Sequence, residues 1–69
     1  MIQNNFSRTI GERLEKTAKI HEATGISRNT LTALYYRRSK GITFETLDKL
    51  CTYLQCKIED IFEYKEDER

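Results

Sequence analysis

Proline is absent from this 69-residue chain, as are low-complexity stretches and internal repeats, so the glycines at 11, 25 and 41 are left to punctuate it. No apolar run approaches the roughly 20 residues needed to cross a bilayer, and no membrane partner is expected. The chain turns polar within two residues of Met1, so no secretory signal is expected ahead of the domain and the expected location is cytoplasmic. Cysteine occurs twice, at Cys51 and Cys56. The spacing admits one disulfide of a secreted miniprotein or two reduced thiols; without a signal segment, reduced thiols are the preferred reading. The only histidine, His21, lies far back in sequence, so a metal site at the cysteines lacks its remaining ligands; neither metal nor cofactor is expected. A chain this short makes one domain, burying about 60% of its unfolded surface. It has no room for a lidded catalytic cleft or a separate sensing domain, and no enzyme is expected.

What is present is the balance of a globular domain, 38% hydrophobic and 33% charged. The net charge of +1 says nothing alone, but it is unevenly spread. Ser27 to Phe44 holds Arg28, Arg37, Arg38 and Lys40 and no acid, whereas Glu59 to Arg69 holds six acids against Lys65 and Arg69. This polarity fits an ordinary solvated surface with a flexible acidic tail over 65–69. It fits equally a cationic face for a polyanion, with the acidic end held away from it.

Ile2, Phe6, Ile10 and Leu14 recur every four residues, the stripe of an amphipathic helix. A second helix is expected from Thr17 to Thr24, with Thr17 as its N-cap and Gly25 ending it. Ser27 caps a third helix running to about Arg38, with Leu31 and Leu34 inward. Thr43 caps a fourth, whose apolar face is Phe44, Leu47, Leu50, Cys51 and Leu54; Glu45 in its first turn suits the helix dipole. A short fifth helix follows the break at Gln55 and Cys56, with Ile58, Ile61 and Phe62 inward. No alternation long enough for a strand is present. The class is all-α, a compact bundle of four to five short helices, with the domain over 1–64.

The informative stretch runs from Ile20 to Leu34. A helix stops at a glycine able to take positive φ, Ile26 plugs the turn, and a serine opens the next helix. Ile20, Ile26, Leu31 and Leu34 then fall where two steeply crossed helices share a core. Arg28, Asn29, Thr32 and Ala33 are left on the outer face of the second helix, the side chains that would enter a major groove first.

Three blocks, Thr-Gly-Ile-Ser-Arg-Asn-Thr-Leu-Thr-Ala-Leu-Tyr (24 to 35), Phe-Glu-Thr-Leu-Asp-Lys-Leu-Cys (44 to 51) and Asp-Ile-Phe-Glu-Tyr (60 to 64), resemble the Cro/C1-type helix-turn-helix family of small phage and bacterial repressors. The resemblance covers nearly the whole chain. It implies a lambda-repressor-like fold of five helices, which breaks the first helix between Gly11 and Glu15. It also implies a sequence-specific transcriptional regulator of double-stranded DNA, acting as a repressor. One position departs: the family usually has a small residue where His21 stands, and the imidazole is expected to alter the packing of the second helix on the third.

Arg28 can fork onto guanine and Asn29 onto adenine, and Thr32 can touch a thymine methyl, with Ala33 allowing close approach. Of Tyr35 and Tyr36, one ring is expected in the core and the other, Tyr36, on the DNA side. Arg37, Arg38 and Lys40 are expected to anchor phosphates, as are Ser27, Lys19 and Thr17, the last at a helix N-terminus that favours anions. His21 has no partner triad and is read as packed rather than catalytic. Any homodimer would form around Ile58, Phe62 and Tyr64. A protein-interaction module of the antitoxin or antirepressor kind is the alternative function, separated from the first by the salt dependence of DNA binding.

Overall fold

The computed structural model describes residues 1–66 and has five helices with one small ribbon. In chain order these are β1 (Ile2–Asn4), α1 (Phe6–Glu12), α2 (Thr17–Thr24), α3 (Arg28–Tyr35), α4 (Phe44–Leu54), α5 (Ile58–Ile61) and β2 (Phe62–Tyr64). Phe6, Ile10, Ile20, Ile26, Leu31, Leu34, Leu47, Leu50, Leu54 and Ile61 make one core, to which every helix contributes.

The ribbon was not expected. β1 and β2 pair antiparallel, with Ile2 opposite Tyr64, Gln3 opposite Glu63 and Asn4 opposite Phe62. Ile2 therefore leaves the helical stripe for a strand, and Phe62 belongs to β2 rather than to α5. Beyond the strands the Lys65 N–H donates to the Met1 carbonyl at 2.8 Å, and the Met1 ammonium donates to the Lys65 carbonyl. Of the tail expected over 65–69, Lys65 continues this pairing, and 67–69 lie outside the described residues.

α1 stops where the break was expected, but at a leucine. Leu14 takes φ +57°, and the Glu15 N–H returns to the Ile10 carbonyl at 2.9 Å. Leu14 is 90% exposed, so it does not extend the buried stripe. Gly11 lies inside α1, and only Gly25 of the three glycines has positive φ; the other left-handed residues among those described are Leu14, Arg37 and Gln55.

α2 begins at Thr17 with Lys16, not Thr17, as its N-cap. Thr43 caps α4 by accepting the Thr46 N–H. Phe44 sits in the first turn, too far toward the helix end to reach the core, and is 89% exposed; Cys51 is half-buried. α5 is one turn, with only Ile61 buried and Ile58 exposed. The Asp60 carboxylate accepts the Lys57 N–H at its start. The Tyr53 hydroxyl donates to Glu15 at 3.0 Å and ties α4 to the α1–α2 loop. That hydrogen bond, with partial burial, raises the Tyr53 pKa.

Candidate nucleic-acid interface

α2 ends because Gly25 takes φ +78°, a left-handed backbone that costs glycine little, and its N–H donates to the His21 carbonyl at 2.9 Å. Thr24 fastens the same turn. Its hydroxyl donates to the Ile20 carbonyl at 2.6 Å and accepts the Ile26 N–H at 3.2 Å. His21 is half-buried with Nδ1 2.7 Å from the Ile26 carbonyl; a carbonyl only accepts, so this nitrogen carries the proton. The imidazole is thus spent on the loop, and Ile20, Ile26, Leu31 and Leu34 still close the core between α2 and α3.

Ser27 then opens α3. Its Oγ accepts the Thr30 N–H at 3.1 Å and donates to Thr30 Oγ1 at 2.9 Å. Arg28, Asn29 and Thr32 are exposed, Ala33 is half-buried, and no acidic residue stands in the first turn. Leu31 and Leu34, at 0% and 1% exposure, fix which face of the helix is left to solvent.

α3 is shorter than expected and stops at Tyr35. Arg37 has φ +60°, its N–H returning to Leu34 at 3.2 Å and that of Arg38 to Ala33 at 2.8 Å. The three cations beyond the helix are therefore on a loop. Neither tyrosine is in the core: Tyr35 and Tyr36 are exposed and pack edge to face at 5.1 Å. The Arg38 guanidinium lies over the Tyr36 ring, 5.1 Å from its centre, a cation–π contact that orients both.

Some of the expected site residues line two separate depressions, whereas Ser27, Arg28, Asn29, Ala33 and Arg38 line neither. Thr17, Thr32, Tyr35 and Tyr36 line a shallow groove of about 430 Å³ between the start of α2 and the outer face of α3. Arg37 and Lys40 line a different one, against β1, where Arg37 Nε donates to the Asn4 carbonyl at 3.2 Å. Lys19 is exposed on α2 outside the first groove.

Two residues escaped the sequence reading. Lys16 lines the groove beside Thr17, and its position directly ahead of a helix start was the available signal. Asn4 steadies the far end of α3: its Nδ2 donates to the Leu34 carbonyl at 3.0 Å while its Oδ1 accepts the Phe6 N–H at 2.9 Å. Nothing local to Asn4 announces a partner thirty residues away.

Over residues 5–67 the chain matches the family of Cro/C1-type HTH DNA-binding domains. It is also similar to YozG of Bacillus subtilis (strain 168), an uncharacterized HTH-type transcriptional regulator. The two are 31% identical over 64 residues, which cover 93% of this chain and 76% of that relative.

Proposed function

This chain belongs to the Cro/C1-type helix-turn-helix DNA-binding family and is a DNA-binding transcriptional regulator; we propose that it is a repressor that lays α3 in the major groove and occludes a promoter. The family is one of regulators, not a class of enzymes. No helix among the described residues is long and apolar enough to cross a membrane, and the protein acts in the cytoplasm on double-stranded DNA.

The observation that carries this reading is the start of α3, where the Ser27 cap holds exposed Arg28 and Asn29 ahead of a buried Leu31 with no acid in the helix's first turn. Arg28, Asn29 and Thr32 read base edges, and Ala33 permits close approach. Thr17, Lys16 and Tyr36 meet one phosphate stretch, and Lys19, Arg37, Arg38 and Lys40 others. Because the Ser27 hydroxyl is engaged with Thr30, its phosphate contact falls to the backbone N–H.

Residues 1–64 form the binding unit, and it works as a homodimer on a two-fold site. Exposed Ile58, Tyr64 and Ile2, with half-buried Phe62 between them in sequence space, support an interface at the ribbon end. Selection of bound sequences from a random DNA pool tests the whole reading. The expected product is a two-fold motif bound less tightly as salt rises, log affinity falling linearly with log salt. A pool with no enriched sequence overturns specific recognition and favours a protein-interaction role.

A further inference from the structure

Cys51 and Cys56 take no part in the DNA surface, yet the end of α4 brings them together. Gln55 adopts φ +55° there, and its N–H donates to the Cys51 carbonyl. The Cys56 N–H returns to that same carbonyl at 3.2 Å. A helix closed this way folds the residue beyond the left-handed position back against the last turn, where its side chain meets the one five places earlier. Standard bond lengths then hold the two α-carbons within about 7 Å, the limit of what one disulfide spans. Both thiols are free and half-buried.

We propose that Cys51 and Cys56 form a redox-active dithiol that closes reversibly to an intrachain disulfide by exchange with a low-molecular-weight disulfide. One cysteine thiolate attacks a sulfur of the incoming disulfide, forming a mixed disulfide and releasing one thiol. The second cysteine attacks the protein-side sulfur, releasing the second thiol and leaving the Cys51–Cys56 bond. Two electrons and two protons pass from the protein to the small molecule, which departs as two thiols. Burial, the Cys51 thiol and the Asp60 carboxylate raise the Cys56 pKa, against the lowering effect of Arg13. Cys56 is therefore held toward its thiol form, and closure quickens as pH rises.

Closure fastens the α4–α5 junction and restrains the unfolded chain, a useful staple for a domain with so small a core. The DNA-binding reading is not needed for this inference, and its test uses no DNA. The full chain is incubated with oxidised glutathione at mildly alkaline pH. The expected product is a monomer lighter by two hydrogens, with no titratable thiol and a Tm raised by roughly 10 °C, all reversed by dithiothreitol. Stable glutathione adducts without the lighter species, or disulfide-linked dimers, overturn the proposal. Cys51→Ser and Cys56→Ser, with folding followed by circular dichroism, should each take up one glutathione and gain no stability. Equal stabilisation of either variant by oxidation would also overturn it. If neither variant folds, the mass and Tm of the wild-type chain before and after dithiothreitol still decide.

Discussion

The α2–α3 turn and the β1–β2 ribbon are both small and both position α3, but they are made from opposite kinds of contact. In the turn, every hydrogen bond closes within a few residues: Thr24 to Ile20, Gly25 to His21, His21 to Ile26, Ser27 to Thr30. In the ribbon, partners stand at the two ends of the chain. Ile2 faces Tyr64 and Asn4 faces Phe62, and just beyond the ribbon α1 is tied to the same end of the chain, the Asn5 N–H donating to the Ile61 carbonyl at 2.7 Å, Asn5 Nδ2 to Glu63 at 2.8 Å, and Thr9 Oγ1 to the Asp60 carbonyl. Residues that make a turn also announce it, because cap, stop and plug are each a local preference. Two three-residue strands announce nothing, because neither is long enough to display alternation. The start of α3 is thus locally encoded, whereas its far end leans on Asn4 and is fixed only when the chain ends meet.

The largest expected effect breaks the local half. Gly25→Val places a β-branched residue at φ +78° and should cost up to about 3 kcal/mol, lowering Tm by roughly 15 °C. A Cβ at Gly25 would meet nothing within 4 Å, so the cost is backbone strain alone and Gly25→Ala should show much of it. An unchanged Tm in both variants would mean that the turn is not closed by a left-handed residue.

Asn4→Ala attacks the long-range half. It removes the acceptor for the Phe6 N–H and the donor to the Leu34 carbonyl. At about 1 kcal/mol for a helix-start bond and as much for a part-buried side-chain bond, the loss is about 2 kcal/mol. Thermal melting should fall by roughly 10 °C. Operator affinity measured well below that melt should fall too, since α3 loses its distal anchor. A stability loss without any affinity loss would show that the ribbon supports the fold but not the placement of α3.

Much of the fold was legible for the same reason the turn was. The Ser27 and Thr43 caps and the core positions Ile20, Ile26, Leu31, Leu34, Leu47, Leu50 and Leu54 follow from local pattern, while the break after the first helix, and with it the five-helix order, came from the family resemblance. Failures cluster where position along an element or a distant partner decides. Ile2 keeps helical spacing but is claimed by Tyr64; Phe44 is apolar but sits before the part of α4 that reaches the core. The end of α3 was harder, expected at about Arg38 and found at Tyr35, because Arg37 takes a left-handed backbone conformation for which glycine is the usual sign. At the candidate site, the exposed starts of α2 and α3 could be read off, but the grouping of Thr17 with Tyr36, and of Arg37 with Asn4, depends on how the helices cross.

Arg28→Ala and Asn29→Ala probe the locally built end of α3 directly. A bidentate base contact is worth about 1 to 3 kcal/mol against the wrong base, so each change should weaken binding to the selected site about ten- to a hundredfold. Non-specific affinity should fall far less. Against a panel of single-base operator mutants, lost discrimination should map to one or two positions per half-site. Uniform loss across the panel would assign Arg28 to phosphate instead.

Arg37 is where the two halves touch, and the smallest effect there separates them most finely. Its backbone closes α3 at φ +60°, a local device, while its Nε reaches the Asn4 carbonyl, a long-range one. Arg37→Ala removes the side-chain contact and keeps the left-handed strain. Arg37→Gly removes both. The difference between the variants therefore isolates the backbone term, and glycine should be the more stable by about 1 kcal/mol, roughly 5 °C in Tm. DNA affinity should not follow stability. Both variants lose the same guanidinium, so both should bind all sequences less tightly by the same factor, with the slope of log affinity against log salt reduced by about 0.9 for one lost phosphate contact. Equal melting of the two variants would mean that the end of α3 is not strained. If Arg37→Gly bound DNA distinctly worse than Arg37→Ala, the rigidity of that loop would be contributing to the interface, and the division between a local recognition end and a long-range structural end would fail at this residue.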